Sequence, residues 1–163
     1  MKKIVYFCFV IFFGTLLVSN VSAQSKELRI GKIFAKEEAN QLFGKPSITI
    51  PVRKDLLKAA LAKADKYVFF SLKGKLPLIL NSRRISLLGD NVSLSANEKA
   101  FVFSKEVVEE FLNSSKSSVI YFEIRGLNNL ELNTTATSPN AVFSLSDGVY
   151  TLEASMICPP ACI

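Results

Sequence analysis

The sequence predicts an α+β fold: an antiparallel sheet of several short strands and hairpins, with two or three short helices packed on one face. Three observations carry this. Apolar residues recur at helical spacing in only three short windows. The rest of the chain is short β-favouring runs punctuated by Gly, Asn, Asp and Ser. The two kinds of segment cluster instead of alternating strictly, which disfavours a parallel βαβ array.

Residues 1–23 read as a secretory signal peptide. Lys2 and Lys3 form a basic start, and Ile4 to Val18 is apolar apart from Gly14 and Thr15. Val21-Ser22-Ala23 then supplies the small residues of a cleavage site. The apolar run falls short of the ~20 residues of a bilayer-spanning helix. Cys8 leaves with the leader, and the residue directly after Ala23 is Gln24, not a cysteine that could accept a lipid. Residues 24–163 then form one small α+β domain, with no further span expected. Removing Lys2 and Lys3 lowers the formal charge from +6 to +4, too modest a surplus to point to nucleic acid.

The first helix opens at Phe34-Ala35-Lys36-Glu37, carries Ala39, Leu42 and Phe43 on one side, and stops at Gly44 and Pro46. The second places Leu56, Leu57, Ala60, Leu61 and Ala64 in one stripe. Arg53, Lys54, Lys58, Lys63 and Lys66 decorate its remaining surface, diluted by Asp55 and Asp65. Tyr67 to Leu72 reads as a strand paired with Leu76 to Leu80 across Lys73-Gly74, and Pro77 puts the latter at an edge. Arg84 to Leu88 and Val92 to Ser95 flank a Gly89-Asp90-Asn91 turn.

The third helix opens at Phe103-Ser104-Lys105-Glu106, an echo of the first. Ser104 is the expected cap, and Phe103 and Val108 form a staple. Val107, Val108, Phe111 and Leu112 form its apolar face, and Asn113-Ser114-Ser115 ends it. Val119 to Ile124 reads as a central strand, turning at Asn128-Asn129 into Leu130 to Leu132, with an exposed loop over 133–140. A final hairpin pairs Val142 to Leu145 with Val149 to Ile157 across Ser146-Asp147-Gly148. Period-two spacing puts Tyr150, Leu152, Ala154 and Met156 on its buried face, with Thr151, Glu153 and Ser155 facing water. A second echo relates Phe70-Ser71-Leu72 to Phe143-Ser144-Leu145; helix starts and hairpins look alike for physical reasons, so an internal duplication stays open.

The chain contains no histidine. That excludes Ser-His-Asp and Cys-His catalysis and every His-ligated metal site. Its glycines form no phosphate-cradling motif. Glu37-Glu38, Glu109-Glu110 and Asp90 read as surface charge rather than a glycosidase pair. Arg83-Arg84 and Arg125-Gly126 offer cations for an anion, but adjacent arginines on a strand point to opposite faces, so they read as ordinary strand and turn cations. Asn91, Asn113 and Asn133 open glycosylation sequons, relevant only in a eukaryotic host.

One candidate for chemistry remains, Cys158 and Cys162 around Pro159-Pro160-Ala161. An even cysteine count after leader removal points to a structural disulfide that pins the C-terminus. The alternative is a thiol-redox pair or a Cu(I) site, with Met156 as a third soft ligand. The expectation is an exported, periplasmic or extracellular, non-enzymatic domain with no cofactor and no assigned catalytic or metal-binding residue. It would bind a protein or cell-envelope partner, with the Leu76–Leu80 edge as one route of β-augmentation.

Overall fold

A computed structural model describes residues 28–74, 76–126, 141–153 and 156–158. The leader, the strand and loop expected over 128–140 and Cys162 lie outside the described residues. Of Cys158 only the backbone is described, so the proposed cysteine pairing is outside them too. The elements are β1 (Lys32–Ala35), α1 (Lys36–Phe43), β2 (Pro46–Arg53), α2 (Lys54–Leu61), β3 (Tyr67–Lys73), β4 (Leu76–Leu80), β5 (Ala100–Ser104), α3 (Lys105–Ser114), β6 (Val119–Arg125), β7 (Val142–Ser146), β8 (Tyr150–Glu153) and β9 (Met156–Cys158).

The fold is α+β, and every pairing is antiparallel. The strands divide between two sheets instead of gathering in one. Five run in the order β1-β8-β7-β6-β2 and four in the order β4-β3-β5-β9. The two sheets face each other through phenylalanine. Phe143 of β7 stacks on Phe70 of β3 and Phe101 of β5, with ring centroids 5.4 and 5.3 Å apart. Phe122 of β6 meets Phe70 edge-on at 5.4 Å. All four rings are sealed from solvent.

Two helices close this core because they carry the chain from one sheet to the other. α2 leads from β2 in the first sheet to β3 in the second, and α3 returns from β5 to β6. Leu57, Ala60 and Leu61 of α2 and Val107, Val108, Phe111 and Leu112 of α3 enter the same cluster. Leu56 falls outside the stripe, 44 % exposed, and the helix stops at Leu61 so that Ala64 is buried from a turn. The α2 lysines have a local task. Lys54 Nζ donates to Ser115 O and Lys58 Nζ to Asn113 Oδ1, placing two cations at the C-terminal end of α3, which has none in its own last turn.

All three helices start in the same way. Their N-cap residues Ala35, Arg53 and Ser104 are extended, and none caps with its side chain. The β-ladder supplies the cap. Ala35 pairs with Tyr150, Arg53 with Val119 and Ser104 with Tyr67. One step further, the first helical N–H donates to the next carbonyl on the partner strand: Lys36 to Val149 O at 3.0 Å, Lys54 to Ser118 O at 2.9 Å and Lys105 to Lys66 O at 2.9 Å. The echo at Phe34 and Phe103 is this junction seen twice. It also corrects the expected role of Ser104. Its hydroxyl accepts from Ile30 N at 2.8 Å and donates to Leu28 O at 3.3 Å, so it holds the N-terminal segment rather than the helix.

That segment straps the sheets together. Ile30 packs on the outer cluster of the second sheet, with Tyr67, Phe69, Leu78, Leu80, Leu94, Ala100 and Val102. Ile33 packs on the cluster between the sheets. Gly31 makes the crossing at φ +112°, where an added Cβ would lie 3.0 Å from Phe103 and 3.1 Å from Leu152.

Three local expectations change. The segments flanking Gly89-Asp90-Asn91 form only isolated bridges, Leu80–Ser86 and Ile85–Ser93. β4 is an edge strand, as Pro77 implied, but Leu87 N donates to Ile79 O, so its C-terminal half is already occupied from outside. The last strand is two strands: β8 belongs to the first sheet and β9 to the second. Thr151 and Glu153 are also buried instead of facing water.

Gly31→Ala combines a strained φ with a tight contact, so it is expected to destabilise the domain by more than about 1 kcal/mol. Urea unfolding of both proteins checks this; an unchanged midpoint would show that the strap is not required.

Candidate functional site

The first sheet buries its inner face and, over β6, β7 and β8, most of its outer face as well. On β6, Ile120, Phe122 and Ile124 enter the core, so Tyr121, Glu123 and Arg125 must point the other way. Alternation puts Ser144 and Ser146 of β7 and Thr151 and Glu153 of β8 on that same outer face. The register sets Glu123 opposite Ser144 and Ser146 opposite Thr151. Except for Tyr121 these side chains are all buried, a polar layer within a protein otherwise packed with aliphatic and aromatic groups.

α1 covers this layer by topology. β1 and β2 are the two opposite edges of the five-stranded sheet, and α1 joins them. Four strand spacings separate the edges, ~19 Å, so the connection has to cross the outer face. Ala39 is its only buried apolar residue, and Phe43 meets Phe34 of β1 edge-on at 5.5 Å.

Arg125 organises the layer. It is fully buried and is the largest side chain so enclosed. Nη2 donates to Glu123 Oε2 at 2.5 Å, Nη1 to Asn40 Oδ1 at 2.7 Å and Gly44 O at 2.6 Å, and Nε to Ser144 Oγ at 3.1 Å. The guanidinium therefore ties β6 to β7 and to α1 at once. Glu123 supplies its countercharge.

Glu153 is a second carboxylate with no second cation. Its Oε1 lies 2.8 Å from Arg125 Nε, but that N–H is directed at Ser144. Both Glu153 oxygens and Thr151 Oγ1 are buried without a hydrogen-bond partner. Burial pushes the Glu153 carboxyl up to about 7; the Arg125 charge and the nearby Ser144 hydroxyl pull it back only in part, and Glu123 adds to the rise. A group titrating there has the pKa of a general acid–base. It is nevertheless fully enclosed beneath α1, out of reach of a substrate in this arrangement.

A second feature faces solvent. A groove of about 890 Å³ opens between α3 and the β7–β8 hairpin, lined among the described residues by Ile33, Val149 and Tyr150 together with Glu110, Lys116 and Asp147. Val149 is 63 % and Tyr150 47 % exposed. The turn that presents them is rigidly built. Asp147 Oδ1 accepts from Val149 N at 2.9 Å and Tyr150 N at 2.8 Å. Burial opposes the Asp147 charge, but these amides outweigh it and hold the carboxyl below its usual range.

The sequence-derived candidates are scattered by comparison. Glu37, Glu38, Glu109, Glu110 and Asp90 are exposed, on helices or in a turn, as surface charge. Arg84 Nη1 donates to Ser95 O and Glu98 O and clasps a loop. Arg125, read as an ordinary strand cation, is the centre of the buried network, and Glu123 and Glu153 were not among the sequence-derived candidates. No group of three or more Cys, Asp or Glu side chains that could hold a metal occurs among the described residues. Among them there is also no helix long and apolar enough to cross a membrane.

An acid whose folded pKa lies above its unfolded value contributes stability only while protonated. For Glu153 that contribution is complete below its ordinary 4.5 and disappears as pH rises through about 7. Glu153→Gln is therefore expected to lose this pH dependence and to exceed the wild type above pH 7 by more than about 1 kcal/mol. Denaturant titrations at pH 5 and 8 check it; parallel pH profiles for the two proteins would contradict it.

In comparisons with protein families, curated proteins and solved structures, the chain finds no match.

Proposed function

We propose that the protein is a non-enzymatic binding domain, exported by a cleaved leader over residues 1–23, which engages a protein or cell-envelope partner through the groove between α3 and the β7–β8 hairpin. The observation that carries this reading is the pair Val149 and Tyr150, exposed side by side next to Ile33 on a turn that Asp147 holds in place. Apolar contact area set among a few charged side chains on a fixed turn suits a recognition site. Tyrosine suits it because it offers a large contact area with few rotatable bonds.

The absence of histidine removes the commonest catalytic bases and metal ligands from the whole chain. The one carboxyl shifted toward neutral pH, Glu153, is enclosed. Both points favour binding over catalysis.

A photoreactive residue at Val149 is expected to give a discrete adduct in the producing cell that is lost in Tyr150→Asp, while the same probe at Leu42, exposed on α1, gives none. Equal labelling at both positions, or an adduct indifferent to Tyr150→Asp, would contradict the groove. The intact mass of the exported chain tests the leader separately: the expected mature protein begins at Gln24, and a retained leader overturns export by cleavage.

A further inference from the structure

α1 is held to the protein in an unusual way. Its eight residues bury one apolar side chain, Ala39, while Leu42 stays 59 % exposed and Glu37 and Glu38 face solvent. One edge-on ring contact joins Phe43 to Phe34, and one ladder hydrogen bond joins Lys36 N to Val149 O. Two more hydrogen bonds among the described residues come from a single group: Arg125 Nη1 donates to Asn40 in the helix and to the carbonyl of Gly44 at its end. α2 and α3, by contrast, bury three and four apolar side chains in the main core.

The group next to that guanidinium is Glu153. Facing it are Arg125 and Glu123 from β6 and Ser144 from β7. Lys32 is its register partner on β1, where the ammonium lies 4.8 Å from the centre of the Phe34 ring. From α1, Asn40 reaches the same guanidinium, and Lys36 is the cation of the helix.

We propose that α1 is a protonation-controlled latch: with Glu153 neutral it closes over the polar layer, and with Glu153 ionised it lifts and uncovers Arg125, Glu123, Ser144 and Thr151. Neutral Glu153 adds no charge to an Arg125–Glu123 pair that already balances. Its hydroxyl proton also gives the layer a donor, beside Thr151 Oγ1, which lacks a partner. Ionised Glu153 is a buried anion whose two near partners, Arg125 Nε and the Ser144 hydroxyl, are already engaged with each other. Such a group requires either water or a cation. It competes with Ser144 for Arg125 Nε, 2.8 Å away, and so draws the guanidinium off Asn40 and Gly44. Water enters where least apolar contact has to be broken, and that is beneath α1.

Amide hydrogen exchange tests the latch on the intact domain. The protection of α1 amides, taken relative to α3 amides to cancel the intrinsic pH dependence, is expected to fall about tenfold between pH 6 and pH 8. Glu153→Gln is expected to keep α1 protected at pH 8. A constant ratio of α1 to α3 protection in the wild type, or the same fall in Glu153→Gln, would overturn the proposal. Should that variant fail to fold, Asn40→Ala decides: it is expected to lower α1 protection at pH 6 while leaving α3 unchanged, and an unchanged α1 would show that Arg125 does not hold the helix.

Discussion

The outer face of the five-stranded sheet is the constraint to which the other features answer. A connection that joins one edge of a sheet to the other has to cross a face, and a crossed face is removed from water. In this protein the crossed face is polar, so its groups have to satisfy one another. Arg125 makes that feasible. One planar donor array reaches a carboxylate, a hydroxyl, a side-chain amide and a backbone carbonyl on three different elements. What it leaves over is Glu153, and the strain of a second acid concentrates there.

The opposite face obeys the ordinary rule of the hydrophobic effect. The phenylalanines of β3, β5, β6 and β7 fill the gap between the sheets, and α2 and α3 close it because they are the links between sheets. Both faces thus share one backbone, with side chains a single residue apart. Moving β6 by one residue in register would exchange Phe122 and Ile124 for Glu123 and Arg125 in the core, so pairing register is tightly specified here. The ladder-capped helix starts add to this. Each helix begins where its strand's pairing runs one step further, so register sets helix position as well.

Much of this was legible in the sequence. The helices at α1, α2 and α3, the β3–β4 and β7–β8 hairpins and the α+β class follow from local periodicity and turn residues. The division into two sheets does not, because the β8–β9 break falls within a run whose alternation is unbroken from Tyr150 to Met156. The site was hidden for a related reason. Thr151 and Glu153 alternate with Tyr150 and Leu152 as a solvent-facing set would, and only the long-range crossing by α1 buries them. One local clue was present: Glu123 and Arg125 stand two apart at the end of a strand otherwise made of Val, Ile, Tyr and Phe, which places opposite charges side by side on one face. Leu42 and Leu56 show the converse, apolar residues at helical spacing that no neighbouring element covers.

The central claim is that Glu153 is an enclosed acid without a cation of its own. Its side-chain carboxyl carbon, followed by ¹³C NMR from pH 3 to pH 9, reports that directly. The structure predicts a titration of Glu153 centred at about 7. A Glu153 midpoint near the ordinary 4.5 would mean that the carboxyl is solvated or paired, and would contradict both the polar layer as described and the latch built on it.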